Sequence, residues 1–184
     1  TYYAATRLGQ IKRFERRDLT PWRSYKSKAV KYAKLKGDDD QVIRISPIKL
    51  DDVMLITARG YALRFNIEEV PIVGPKAAGV KAINLKEGDS LAAAFIANTD
   101  SIYILTQRGS LKRMTTNLIP VTSRAKRGLQ VLRELKSKPH RVFAAGPVFS
   151  EAAGEIDLFT TVGEQGQEEI LEIQSQSLEK YEVN

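Results

Sequence analysis

A chain of 184 residues with 42% apolar composition is long enough to bury a core, which excludes a disordered segment. The lack of cysteine excludes a disulfide framework and thiolate metal sites and fits a reducing cytoplasm, and the longest apolar run, residues 91–97, is far short of the roughly 20 residues of a membrane helix. The net charge of +7 is divided: residues 1–149 hold 28 Lys and Arg against 13 acids, and residues 150–184 hold one lysine and nine acids. The body of the chain therefore attracts polyanions, with nucleic acid the usual partner; a solvated basic surface without a partner is the plainer alternative.

In chain order, the first element is Thr6-Arg7-Leu8-Gly9-Gln10-Ile11-Lys12-Arg13-Phe14. It returns as Thr57-Ala58-Arg59-Gly60-Tyr61-Ala62-Leu63-Arg64-Phe65, and again as Thr106-Gln107-Arg108-Gly109-Ser110-Leu111-Lys112-Arg113-Met114. Val53-Met54-Leu55-Ile56 and Ile102-Tyr103-Ile104-Leu105, ahead of two of these copies, are short and almost wholly apolar, as strands covered on both faces are. The glycine suits a tight turn with positive φ. Each copy therefore predicts a β-hairpin.

A basic connection follows each hairpin, and then a second recurring segment. Ala29-Val30-Lys31-Tyr32-Ala33 matches Gly79-Val80-Lys81-Ala82-Ile83 and Gly128-Leu129-Gln130-Val131-Leu132. Leu35-Lys36-Gly37-Asp38, Leu85-Lys86-Glu87-Gly88-Asp89 and Leu135-Lys136 come next. A fourth copy begins at Ile156 and reaches Gly163, then loses its basic residues. The pattern predicts an all-β domain over residues 1–184, with propeller-like, four-stranded blades of about 50 residues. The blades fall at about 1–48, 49–98 and 99–148, with a partial one at 149–184, and Thr1 reads as a start inside a blade.

The connections are the best candidates for phosphate contact: Arg23, Lys26, Lys28 and Lys31 in the first unit, Lys76 and Lys81 in the second, Arg124, Lys126 and Arg127 in the third. Backbone amides near Gly79 and Gly128 are candidates for a close approach to phosphate. Equivalent positions on successive blades make a curved stripe, suited to a bent duplex with little reading of base edges. Hairpin-tip Arg59 and Arg108 are further exposed candidates. Arg13, Arg64 and Arg113 alternate with Ile11, Ala62 and Leu111, so phosphate contact and a structural clamp between blades stand equal for them. Trp22 and Tyr25 suit packing better than base stacking. The acidic residues 164–184 either compete with DNA for the basic surface or aid solubility.

No catalytic constellation is present. His140 stands alone beside Pro139, the Asp38-Asp39-Asp40 run lacks the alternation of a calcium loop and reads as a turn, and no phosphate-binding loop occurs. Tyr2 and Tyr3 lack any context for a nucleophile. No metal or cofactor site is expected.

The repeated pattern, apolar-x-apolar-apolar-Thr-x-x-Gly-x-x-Lys/Arg-Arg-apolar, together with the segment 78–89, resembles the blade motif of the C-terminal domains of gyrase A and topoisomerase IV A subunits. The resemblance covers about residues 1–148 well and 149–184 weakly. It implies a β-pinwheel whose blades exchange strands, with sequence-nonspecific duplex DNA bent along the outer rim. It further implies partners in the ATPase B subunit, as well as in the catalytic core of the same A subunit, with Mg2+ and ATP serving the whole type IIA enzyme. The catalytic residues would lie outside this chain, and the setting would be the cytoplasm and nucleoid. Gyrase A subunits carry a Gln-Arg-Arg-Gly-Gly-Lys-Gly box. Here the matching stretches are residues 75–81 and 124–130, both degenerate, which favours the topoisomerase IV branch and puts gyrase-like wrapping in doubt. The alternatives are a gyrase A wrapping domain and a propeller-like module that binds an acidic protein.

Overall fold

Each repeat folds as a hairpin because its threonine and glycine close one. The structure is a computed structural model that describes residues 1–19, 31–48 and 51–149, and the backbone of 156–162 and 168–174. The first hairpin joins β1 (Tyr2–Thr6) to β2 (Gln10–Phe14). The Gly9 amide donates to the Thr6 carbonyl (3.0 Å), and the Gln10 amide donates to Thr6 Oγ1 (3.3 Å). Thr57 with Gly60 and Tyr61, and Thr106 with Gly109 and Ser110, repeat both bonds. All three threonines are buried, so the hydroxyl supplies the acceptor that water cannot. The three glycines have φ of 77°, 84° and 74°, which a side chain would oppose.

The remaining strands are β3 (Val42–Pro47), β4 (Asp52–Thr57), β5 (Tyr61–Asn66), β6 (Val80–Lys81), β7 (Leu91–Ile96), β8 (Ser101–Thr106), β9 (Leu111–Thr115), β10 (Val121–Thr122), β11 (Leu129–Gln130), β12 (Val142–Val148), β13 (Ile156–Val162) and β14 (Glu168–Gln174). In sheet order they run β3-β1-β2-β6, then β7-β4-β5 with both β10 and β11 on β5, then β12-β8-β9, then the separate hairpin β13-β14. The fourth strand of each of the first two blades therefore comes from the following unit. β6 pairs with β2 through Ile11↔Val80, and β11 pairs with β5 through Leu129↔Ala62. Gly79 and Gly128, both at φ 88°, make this exchange possible: a Cβ at either would fall on the carbonyl of Ile11 or Ala62. The third blade lacks such a strand among the described residues. The acidic stretch 164–184 is not all tail, because its residues 168–174, rich in Ile and Leu, form β14.

The blades stack face to face. Val53 and Leu55 of β4 point into a core shared with Tyr3, Ala5 and Ile11 of the first blade. Their neighbours Met54 and Ile56 point the other way, into a core shared with Ile102, Ile104 and Val142 of the third. Both faces are covered, which is why the strand reads as one apolar run. Each buried leucine or isoleucine stabilises the fold by about 1.5–3 kcal/mol. β7 packs against both β3 and β12. These strands converge, and the exchanged strands β6 and β11 lie at the opposite edge of their sheets.

Candidate nucleic-acid interface

The three connections adjoin one another. The Lys34 amide donates to the Ala77 carbonyl (3.5 Å), the Asn84 amide to the Lys126 carbonyl (2.8 Å), and the Ala125 amide to the Ala82 carbonyl (2.7 Å). Each connection thus rests on the one before it, at the edge where β6 and β11 join their sheets. On that edge Lys31, Lys76, Lys126 and Arg127 are exposed, with no side-chain hydrogen bond or ion pair among the described residues. Exposed Lys81 donates to Asn84 Oδ1 (2.7 Å). Half-buried Arg124 donates to the Lys81 carbonyl (2.8 Å), and its amide donates to Glu69 Oε2 (3.0 Å). Arg23, Lys26, Lys28, Trp22 and Tyr25 lie outside the described residues. The tight contacts of Gly79 and Gly128 are with the neighbouring sheet, so strand exchange already accounts for glycine there.

The regular arginines divide. Arg13 Nε donates to the Val70 carbonyl (2.5 Å) and its Nη2 to the Glu68 carbonyl (3.3 Å), both in the second unit. Arg64 Nε pairs with Asp52 Oδ2 (2.9 Å), with side-chain exposures of 16% and 18%, and its Nη1 reaches Asn117 Oδ1 (3.4 Å) in the third unit. Glu68 and Asn117 hold the same repeat offset. Arg113 makes no such bond among the described residues. At the hairpin tips, Arg59 is less exposed than its position suggests: it pairs with Glu134 of the third unit, which Lys86 also approaches at 3.7 Å. The Arg59 hydrogen bond holds the Glu134 carboxyl below its ordinary value and raises the guanidinium. Exposed Arg108 donates to the Lys138 carbonyl (3.1 Å).

Other residues have structural duties. Tyr3 is buried, donates to the Ala94 carbonyl (3.1 Å), and is pushed up to about 12 by loss of water. Asp40, not Asp38, is the counterpart of Asp89. Asp40 accepts from the tip amide of Leu8 (2.9 Å) and Asp89 from that of Arg59 (3.0 Å), because the first connection is longer than the repeat pattern allows. His140 Nδ1 lies 3.5 Å from Thr106 Oγ1, a hairpin threonine. Among the described residues there is no group of three metal-ligating side chains, and no helix is long and apolar enough to cross a membrane.

One basic residue that sequence reasoning passes over is Lys12. It is 1% exposed, and its Nζ donates to the carbonyls of Tyr32 (2.5 Å), Pro75 (2.8 Å), Ala77 (3.2 Å) and Gly74 (3.3 Å). Burial lowers its pKa, and Asp18 opposes the shift. The available signal is the repeat offset: the same position is Leu63 in the second unit, an apolar residue on a face that must be buried.

The family described as DNA gyrase C-terminal domain, beta-propeller, matches residues 3–49, 51–98 and 100–148. The A subunit of DNA topoisomerase 4 from Streptococcus pneumoniae serotype 4 is 68% identical over 161 residues, 88% of this chain and 19% of that protein. Its counterpart from Streptococcus pyogenes serotype M6 is 56% identical over 184 residues, 99% of this chain and 22% of that protein. The chain thus spans about a fifth of the length of these relatives. A solved C-terminal domain of DNA topoisomerase IV aligns with TM-score 0.75 at 36% identity, over 92% of this chain and 51% of that one. With stacked, strand-exchanging blades and a family match across three successive units, the chain belongs to the DNA gyrase C-terminal domain, beta-propeller, family.

Proposed function

We propose that this chain is the DNA-binding and DNA-bending part of a topoisomerase IV A subunit, one that holds duplex DNA for ATP-dependent strand passage by the whole enzyme. The observation that supports the reading is the hydrogen-bonded series of connections, which carry exposed Lys31, Lys76, Lys81, Lys126 and Arg127. Cations spaced along a curved edge suit a phosphate backbone and give no fixed donor pattern for bases. Binding would therefore be indifferent to sequence. Catalysis, Mg2+ and ATP would belong to the ATPase B subunit together with the rest of the A subunit, and the place of action would be the nucleoid. The degenerate residues 75–81 and 124–130 favour topoisomerase IV over a wrapping gyrase domain.

The test is a gel shift with random-sequence duplex across a salt series. Five cations on phosphates predict micromolar or tighter binding and a log–log salt slope of about −4.5. A slope near zero, or capture of an acidic polypeptide in preference to DNA at matched salt, would overturn the reading.

A further inference from the structure

The environment of Lys12 has a consequence for the proposed DNA path, and it rests on that reading. An ammonium group has three N–H bonds, and here it serves four carbonyl oxygens drawn from two connections. One, on Tyr32, belongs to its own unit. The other three, on Gly74, Pro75 and Ala77, belong to the following unit and surround Lys76. With those carbonyls turned inward, the Lys76 side chain is left on the exposed side of the same loop. The within-unit half of the arrangement recurs in the third unit: Lys112 Nζ donates to the carbonyl of Val131 (2.8 Å), which holds the repeat offset of Tyr32. At the second junction the equivalent residue is Leu63, which has no donor. A groove of about 380 Å³ lies there, between Leu63, Arg64 and Ile119 on one side and Lys126, Arg127 and Gly128 on the other.

We propose that Lys12 is a positioning residue that clamps the DNA-facing connection 74–81 to the first blade and so fixes Lys76 and Lys81 relative to Lys31. The next junction lacks this clamp: beside the backbone bonds of Asn84 and Ala125 and the pairing of β10 and β11 with β5, its side-chain links are Arg64 with Asn117, Arg59 with Glu134 and Arg124 with the Lys81 carbonyl. The side-chain links at the first step of the basic edge thus include a buried set of bonds to backbone, and those at the second are more exposed. Salt weakens the second kind and hardly touches the first.

The test uses the 184-residue chain and two variants, Lys12→Met and Lys12→Gln. Glutamine keeps two N–H donors without the charge. Hydrogen exchange is read first. Lys12→Met is expected to speed exchange of residues 74–81 on the order of tenfold to a hundredfold, with β4, β5 and β7 unchanged, and Lys12→Gln to restore part of the protection. Affinity for a random-sequence duplex is read second, in a double-mutant cycle. Removing Lys76 and Lys81 together should weaken binding in the parent chain but have much less effect in the Lys12→Met background. Replacement of Lys126 and Arg127 should weaken both backgrounds equally. Unchanged exchange at 74–81, or strictly additive effects of the Lys12 and Lys76/Lys81 changes, overturns the clamp. Failure of the parent chain to bind duplex overturns the DNA reading instead, and the exchange result still decides the clamp. If Lys12→Met does not fold, Lys12→Gln carries both measurements.

Discussion

At the scale of single residues, what separates a contact from a clamp is whether the guanidinium or ammonium is already occupied. Lys126 and Arg127 are exposed, and among the described residues the Lys126 carbonyl, not either side chain, makes a hydrogen bond to the neighbouring unit. Replacing both with alanine is expected to leave the melting temperature unchanged, to weaken duplex binding by the same factor for any sequence, and to reduce the magnitude of the salt slope by about 2. Arg64→Ala is expected to do the reverse. It breaks a partly buried pair with Asp52 and a link to Asn117, at a cost of about 1–2 kcal/mol, visible as a lower melting temperature with little loss of affinity. The sequence marks Arg13, Arg64 and Arg113 as a set but not their partners. The acceptors of Arg13 lie 55 and 57 residues away, at positions defined only once blades stack. The partners of Lys12 are hidden for a related reason, because the loop that supplies three of its four acceptors comes from the next repeat.

At the scale of elements, the hairpins and their glycines are legible because the interactions that form them are local: a threonine, a glycine and a strand run within about ten residues. The exchange of β6 and β11 is legible through the family resemblance alone, since nothing near Val80 or Leu129 itself says that the partner strand belongs to the preceding unit. Gly79 and Gly128 carry a local trace of it, and a positive φ alone would not distinguish an exchange from a turn. The structure separates the two. At Gly128 a Cβ would collide with the backbone of Ala62, whereas at Gly109, φ 74°, nothing lies within 4 Å. Gly128→Ala is therefore expected to cost more than about 2 kcal/mol and to expose β5 and β11 to hydrogen exchange, with Gly109→Ala nearer about 1 kcal/mol and confined to its own tip. Equal penalties at the two sites would mean that backbone strain alone, and not the approach of the neighbouring strand, demands the glycine.

At the scale of the whole molecule, charge is distributed as a basic body and an acidic end. The first 149 residues carry most of the cations, while residues 150–184 hold one lysine and nine acids. Among the described residues, no strand ladder joins β13 and β14 to the other three sheets, and a field effect on the basic edge is the first influence of the acidic end to test. A field effect has a recognisable dependence. Its reach shrinks with the Debye length, from about 30 Å at 0.01 M salt to about 8 Å near physiological ionic strength. Neutralising Glu164, Glu168, Glu169 and Glu172 with glutamine removes four of the nine acids at constant length. If the acidic end competes with DNA, the neutralised chain should bind duplex several-fold more tightly at low salt, with the two affinities converging as salt rises. A ratio that stays at one through the series would show that these acids serve solubility alone, and a ratio that persists at high salt would point to direct contact with the basic edge in place of a long-range field.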